Sequence, residues 1–204
     1  MSAELTPELM LGAYAAGYFP MADEDDPESL NWYDPDPRGI LPLNGFHLPR
    51  RLRRTVLSER FAVTVNTDFP AVMRGCAAPA PGRETTWINT PITRIFCALH
   101  DMGFAHSVEC RLDGVLVGGL YGVALGGAFF GESMFSTATD APRWRWCILS
   151  PGCGFAVLFC WIPSLAPAIS PVLGERKFRP RITRLFWPVR WTCSPAGAMT
   201  LIRT

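Results

Sequence analysis

One stretch constrains the fold more than any other: Ser107 to Gly131 reads as three β-strands in succession. Ser107 to Leu112 alternates apolar and polar residues, as a half-buried strand does. Asp113-Gly114 is a strong two-residue hairpin signal, because both residue types tolerate the left-handed backbone such a turn needs. Val115 to Gly131 then supplies two further apolar stretches. Glycines at 118, 119, 122, 126 and 127 point to bulges, or to close approach of another backbone or a ligand. Helical patterns precede this antiparallel meander, so the expected class is α+β.

Three helix starts carry their own caps. Thr6-Pro7-Glu8 places a hydroxyl, a proline and an acid at the head of an apolar stripe of Leu9, Met10, Ala13 and Tyr14, with Gly17 as the stop. Asp68 caps a helix expected through Cys76. Asn89-Thr90-Pro91 opens the clearest one, with Ile92, Ile95, Phe96 and Leu99 on one face and Gly103 at its end. A short helix over His47–Ser58 would carry Arg50, Arg51, Arg53 and Arg54. Phe61 to Val65 alternates like a strand. Residues 22–30 read as an acidic loop, Asp34-Pro35-Asp36-Pro37 as non-helical, and Ala77 to Glu84 as a Pro/Gly loop.

At 204 residues with 49% hydrophobic and 18% charged side chains, the chain can bury a full core and is globular, not disordered. No basic-then-apolar leader opens it, so no signal peptide is expected. Seven cysteines without one suggest free thiols in a reducing compartment, and their irregular spacing gives no zinc pattern. The net charge of +1 hides a break. Up to Pro142 there are 17 acids against 10 bases; from Arg143 onward there are nine bases against the single acid Glu175. Five of the seven tryptophans also lie in that tail. A basic tail usually points to nucleic acid or membrane. Cys147 to Gly174 is uncharged over more than the ~20 residues a span needs, but Pro151, Pro163, Pro167 and Pro171 break it as a helix. No membrane span is expected.

Four constellations could carry chemistry. Trp32-Tyr33 beside the Asp-Pro loop could stack a planar base, or serve as a loop anchor. Trp87 after a Gly/Pro loop could do the same, or plug the core. His106-Ser107-Val108-Glu109 offers a histidine that could act as a base near neutral pH, or be a hydrogen-bonded structural residue. Phe129-Phe130-Gly131-Glu132-Ser133-Met134-Phe135-Ser136 brings a carboxylate and two hydroxyls out of an apolar strand, at a pocket mouth or a solvated strand end.

In their order and spacing these motifs resemble the leucyl/phenylalanyl-tRNA–protein transferase family, from about Leu9 to Asp140. Trp32 to Arg38 and Gly131 to Ser136 carry the resemblance, with Gly17-Tyr18-Phe19-Pro20 and Gly118-Gly119-Leu120-Tyr121-Gly122-Val123 in step. The resemblance implies a small N-terminal domain (1–60) and a GNAT-like transferase domain (61–142) with a mainly antiparallel sheet. It implies transfer of Leu, Phe or Met from aminoacyl-tRNA to proteins beginning with Lys or Arg, marking them for degradation. It further implies a cytoplasmic monomer that needs no cofactor and no metal. By position, Tyr33 and Trp87 would sandwich the terminal adenine; the family usually has tryptophan at the first. Leu120 and Phe129 would line the slot for the amino-acid side chain. Gly131, Glu132 and Ser133 would touch the aminoacyl-adenosine, and Arg50, Arg51, Arg53 and Arg54 would face tRNA phosphates. The role of His106 is left open. Other readings are a catalytically dead protein that binds aminoacyl-tRNA ends, and a GNAT-like acyl-CoA acyltransferase, although no Gly-rich pyrophosphate loop follows a strand.

The tail (143–204) departs from the family, whose catalytic Asp-x-Gln lies there. This chain has no glutamine at all and no aspartate beyond Asp140. A shifted reading frame from about Pro142 would account for this. Taking the last base of each codon with the first two of the next, Phe159-Cys160-Trp161-Ile162 yields Leu-Leu-Asp under every synonymous choice, and the following residues permit Thr-Gln. Such a tail carries no selected hydrophobic period, so poor packing and low order are expected for it.

Overall fold

The computed structural model describes residues 5–23, 26, 29–34, 50, 60–80 and 84–137 with their side chains, and the strand backbones 38–41, 156–159, 176–178, 189–193 and 199–203. Three helices are described along their whole length: α1 (Pro7–Ala16), α2 (Phe69–Ala77) and α3 (Thr90–Asp101). The strands are β1 (Phe19–Ala22), β2 (Leu30–Tyr33), β3 (Arg38–Leu41), β4 (Ala62–Val65), β5 (Ala105–Leu112), β6 (Val115–Leu125), β7 (Ala128–Ser136), β8 (Ala156–Phe159), β9 (Arg176–Phe178), β10 (Val189–Cys193) and β11 (Met199–Arg203). The class is α+β, as expected.

Each described helix begins where its cap residue stands. Thr6 Oγ1 accepts from Leu9 N at 3.2 Å, Asp68 Oδ1 from Ala71 N at 3.2 Å and Asn89 Oδ1 from Ile92 N at 2.9 Å. A proline in the first turn of each removes an N–H that would otherwise lack a helical acceptor. α1 and α3 end alike, on the left-handed glycines Gly17 and Gly103. The next residue in each case, Tyr18 or Phe104, donates back to the Ala13 or Leu99 carbonyl at 2.8 Å.

Seven strands form one sheet in the order β4-β5-β6-β7-β8-β3-β9. All neighbours are antiparallel except β7 and β8, which run parallel. Asp113-Gly114 turns β5 into β6 with both residues at positive φ, and Gly126-Gly127 turns β6 into β7 the same way. β1 and β2 make a separate hairpin, as do β10 and β11. Of the expected acidic loop, residues 22 and 30 are in strands, and 24, 25, 27 and 28 lie outside the described residues. Its flanks, Phe19–Ala22 and Leu30–Tyr33, are paired strands, closed by Asp23 N to Ser29 O at 3.1 Å. Strands of four residues are too short to show a period.

The main core lies between the sheet and the helices. Ile92, Ile95, Phe96 and Leu99 of α3 are buried there with Phe69, Val72, Met73 and Cys76 of α2, against Tyr121, Val123 and Phe130. Each such side chain contributes about 2 kcal/mol of burial. Phe96 and Phe69 both meet the Tyr121 ring edge-on, at 5.1 and 5.9 Å, and Tyr14 meets Phe130 at 5.2 Å. The α1 stripe is narrower than its sequence suggested. Met10 and Tyr14 are buried, but Leu9, turned away from the core, is 44% exposed. β5 also departs from simple alternation: Ala105 to Cys110 are all buried, since both of its faces are covered.

β8 to β11 fall within the tail, and β8 and β9 flank β3 in the sheet. The remaining residues of 143–204, on which the expectation of poor packing bears, lie outside the described residues. No described helix is long and apolar enough to cross a membrane.

Candidate functional site

Cross-strand register sorts the side chains of β5, β6 and β7 between two faces, because partners directly opposite share a face and alternate residues change it. Tyr121, Val123 and Phe130 face the helices. Leu120 pairs with Val108 and Met134, Gly122 with His106 and Gly131, and Ala124 with Phe129. These residues therefore share the opposite face. Leu120 and Phe129, the two expected lining residues, are brought together on it, both buried.

Gly122 is the reason that face has room for a ring. A Cβ built on it would strike the Phe130 carbonyl oxygen and come within 2.7 Å of the Phe129 ring. Phe129 thus lies over a backbone with no side chain, and any other residue at 122 would push it away.

The expected polar trio Gly131, Glu132 and Ser133 sits inside β7, not at a solvated strand end. Tyr121 pairs with Ser133 and Gly122 with Gly131, so Glu132 is the extra residue of a β-bulge. Glu132 and Ser133 are both buried. Tyr121 is fully buried nearby. Burial, followed by Cys76, Glu132 and Cys97, holds its phenol well above the usual range, so it remains a protonated donor. Its Oη has no hydrogen-bond partner among the described residues. Sequence reading passed over Tyr121, because a tyrosine in an apolar run carries no signal of its own.

A polar network joins the loop after β4 to β5. Glu109, fully buried, takes Thr64 Oγ1 at 2.8 Å and Thr67 Oγ1 at 3.0 Å on Oε2, and Ser107 Oγ at 2.6 Å and Asp68 N at 3.3 Å on Oε1. Asp68 also meets Arg111 at 3.4 Å. Asn66 sits beside this carboxylate at φ 57°, a conformation asparagine tolerates better than most residues. Its Oδ1 accepts from Ser107 N at 3.0 Å, and its Nδ2 lies 2.9 Å from His106 Nδ1. A backbone N–H can only donate, so the amide orientation is determined: Nδ2 donates and His106 Nδ1 accepts. The imidazole proton is therefore on Nε2. Burial, reinforced by His100, pushes His106 down to about 4, against an opposing pull from the Gly103 backbone. His106 is neutral at physiological pH, and its accepting nitrogen is already occupied, which removes the general-base reading. Nε2 is buried and has no hydrogen-bond partner among the described residues.

The expected adenine platform lies by the β1–β2 hairpin. Tyr33, opposite Phe19, is 41% exposed and stacks on the Phe19 ring at 5.8 Å and 26°. Trp87 packs partly buried against the main core, and its carbonyl accepts from Ala22 N at 3.2 Å, at the other end of that hairpin. Arg50 is helical and exposed; Arg51, Arg53 and Arg54 lie outside the described residues. Cys76, Cys97 and Cys110 form no disulfide among the described residues. No cluster of three or more His, Cys, Asp or Glu side chains suited to a metal occurs among the described residues.

Comparison with known proteins gives one answer between residues 3 and 153. Residues 3–36 match the leucyl/phenylalanyl-tRNA protein transferase N-terminal domain, and residues 40–153 match leucyl/phenylalanyl-tRNA protein transferase. The chain is similar to the leucyl/phenylalanyl-tRNA–protein transferase of Rhodopseudomonas palustris strain TIE-1, 58% identical over 142 residues, covering 70% of this chain and 63% of the relative. It is similar to that of Nitrobacter winogradskyi, 56% over 142 residues with the same coverage, and to that of Paramagnetospirillum magneticum, 57% over 139 residues, 68% of this chain and 66% of the relative. The chain thus spans a little under two thirds of these relatives. On these matches, the chain belongs to the leucyl/phenylalanyl-tRNA–protein transferase family.

Proposed function

We propose that this chain carries the scaffold of an aminoacyl-tRNA–protein transferase, which moves Leu, Phe or Met from tRNA to proteins beginning with Lys or Arg and so marks them for degradation in the cytoplasm. The observation that carries the reading is the shared face of Leu120 and Phe129, with Gly122 cleared beneath the Phe129 ring. A surface of that kind suits an aliphatic or aromatic apolar side chain and offers nothing to a charged one. Tyr33 and Trp87 would hold the terminal adenine, and Gly131, Glu132 and Ser133 the aminoacyl-adenosine. Arg50, with Arg51, Arg53 and Arg54, would meet tRNA phosphates, where charge and not base identity sets affinity.

The reaction needs no cofactor. The α-amine of the acceptor attacks the ester carbonyl carbon, a C–N bond forms, and the C–O bond to the terminal ribose breaks. The proton lost by the amine ends on the departing ribose oxygen. The protein's task is to align the two reactants and keep water from the ester. The test is transfer of radiolabelled phenylalanine from charged tRNA to a peptide beginning with Arg. Transfer to it, and none to the same peptide beginning with Ala, is the expected result for an active scaffold.

A second reading is favoured by the tail. With no glutamine in the chain and no aspartate past Asp140, the family's Asp-x-Gln is absent. The chain would then bind aminoacyl-tRNA ends as a monomer without transferring. The change of charge balance at Pro142, and the restoration of Leu-Leu-Asp by a one-base shift at Phe159–Ile162, support a frame change as its cause. Reads of the gene across the codons for Asp140 to Trp144 test this. A single uninterrupted frame encoding the same tail in a protein that transfers would refute it.

A further inference from the structure

We infer that His106 Nε2–H is a hydrogen-bond donor for the bound aminoacyl group, meeting its carbonyl oxygen on the Leu120–Phe129 face. The inference rests on the pocket reading above and adds the polar contact that the apolar slot lacks. Three observations carry it. His106 lies directly opposite Gly122 in the register, and Gly122 directly opposite Gly131. One row across three strands thus has a single side chain, with two glycines beside it and the Phe129 ring leaning over the nearer one. Next, Asn66 determines the tautomer: its own amide is oriented by Ser107 N, so Nδ1 is the acceptor and the proton belongs to Nε2. Last, that Nε2–H meets no partner in hydrogen-bond geometry among the described residues, the Gly103 backbone beside the ring included, although His106 is only 8% exposed. Leaving a buried donor unmet is costly, so such a group calls for a partner from outside these residues.

The acceptor must be an oxygen held close to an apolar side chain on this face. In an aminoacyl ester the carbonyl oxygen is that atom, two bonds from the carbon bearing the side chain. A donor aimed there orients the ester and also withdraws charge from the oxygen as the amine attacks.

The test uses two stable probes: phenylalanine joined by an amide to 3′-amino-3′-deoxyadenosine, and its thioamide counterpart, whose sulfur is a poorer acceptor. The full chain should prefer the amide by about fivefold, the effect of one hydrogen bond. His106→Phe should bind both probes about equally. His106→Gln, whose amide nitrogen reaches the Nε2 position, should keep the preference. If His106→Phe retains the full amide preference, the inference is overturned while the pocket reading stands. If the unaltered chain binds neither probe, both fall together. Should His106→Phe fail to fold, nitrogen-15 NMR of the unaltered chain decides: the His106 Nε2–H resonance should shift on adding the amide probe, and a resonance that does not move overturns the inference.

Discussion

On one face of β5 the Glu109 carboxylate is met by four donors, while on the other His106 engages Asn66 through one ring nitrogen and leaves the second unmet. Both side chains come from the same eight-residue strand, and both reach the loop between Thr64 and Asp68. The difference separates a polar group that holds the fold from one that the fold holds ready. Glu109 ties the end of β4 and the start of α2 to β5, and nothing remains for a ligand to satisfy. His106 is oriented with equal care, through an asparagine in left-handed backbone, yet its donor is left over.

Removing the satisfied side should have the largest effect. Glu109→Leu leaves Thr64, Thr67, Ser107 and the Asp68 N–H without their acceptor, and should destabilise the protein by about 4 kcal/mol in urea unfolding. A loss below about 1 kcal/mol would show that the network does not hold the fold. The Leu120–Phe129 face should be nearly as sensitive at one point. Gly122→Ala forces a Cβ into the Phe130 carbonyl and the Phe129 ring, at a cost of about 3 kcal/mol. By contrast, Gly12, whose added Cβ would meet nothing within 4 Å, should accept alanine without loss.

The pH dependence sharpens the contrast between the two groups. His106 is held down to about 4 from 6.5, so the unfolded chain binds more protons than the folded one between those values. Its contribution to stability is fully present above pH 6.5 and is lost as pH falls toward 4. At pH 5 the loss should be about 2 kcal/mol relative to pH 7.5. His106→Gln should lack this component, so comparing urea midpoints of the two proteins at both pH values isolates it. A smaller loss belongs to neither face. Asn89→Ala should cost about 1 kcal/mol through the lost α3 cap, with probe binding unchanged.

Much of the scaffold was legible because its signals are local. Asn89 and Asp68 cap helices for reasons contained within four residues, and Asp113-Gly114 turns a hairpin because only certain residues accept positive φ at both positions. The sites were legible only as a set of residue types. Glu132 read as standing at a pocket mouth or a solvated strand end, whereas a bulge places it inside β7, and a bulge is a mismatch between two strands that one strand cannot report. The β1–β2 hairpin went unread for a related reason: its four-residue strands identify themselves only by pairing.

What the amino-acid order determined by itself, then, is where elements begin and end and which side chains are apolar enough to be buried, since capping, turn geometry and burial tendency act over a few residues. Tertiary structure alone decided that Asn66 meets His106 across 40 positions, that Glu109 gathers four donors, and that Leu120 shares a face with Phe129. Such contacts depend on register and sheet order, in which a slip of one residue would exchange the two faces, carrying His106 to the helices and Glu109 to the Leu120–Phe129 face.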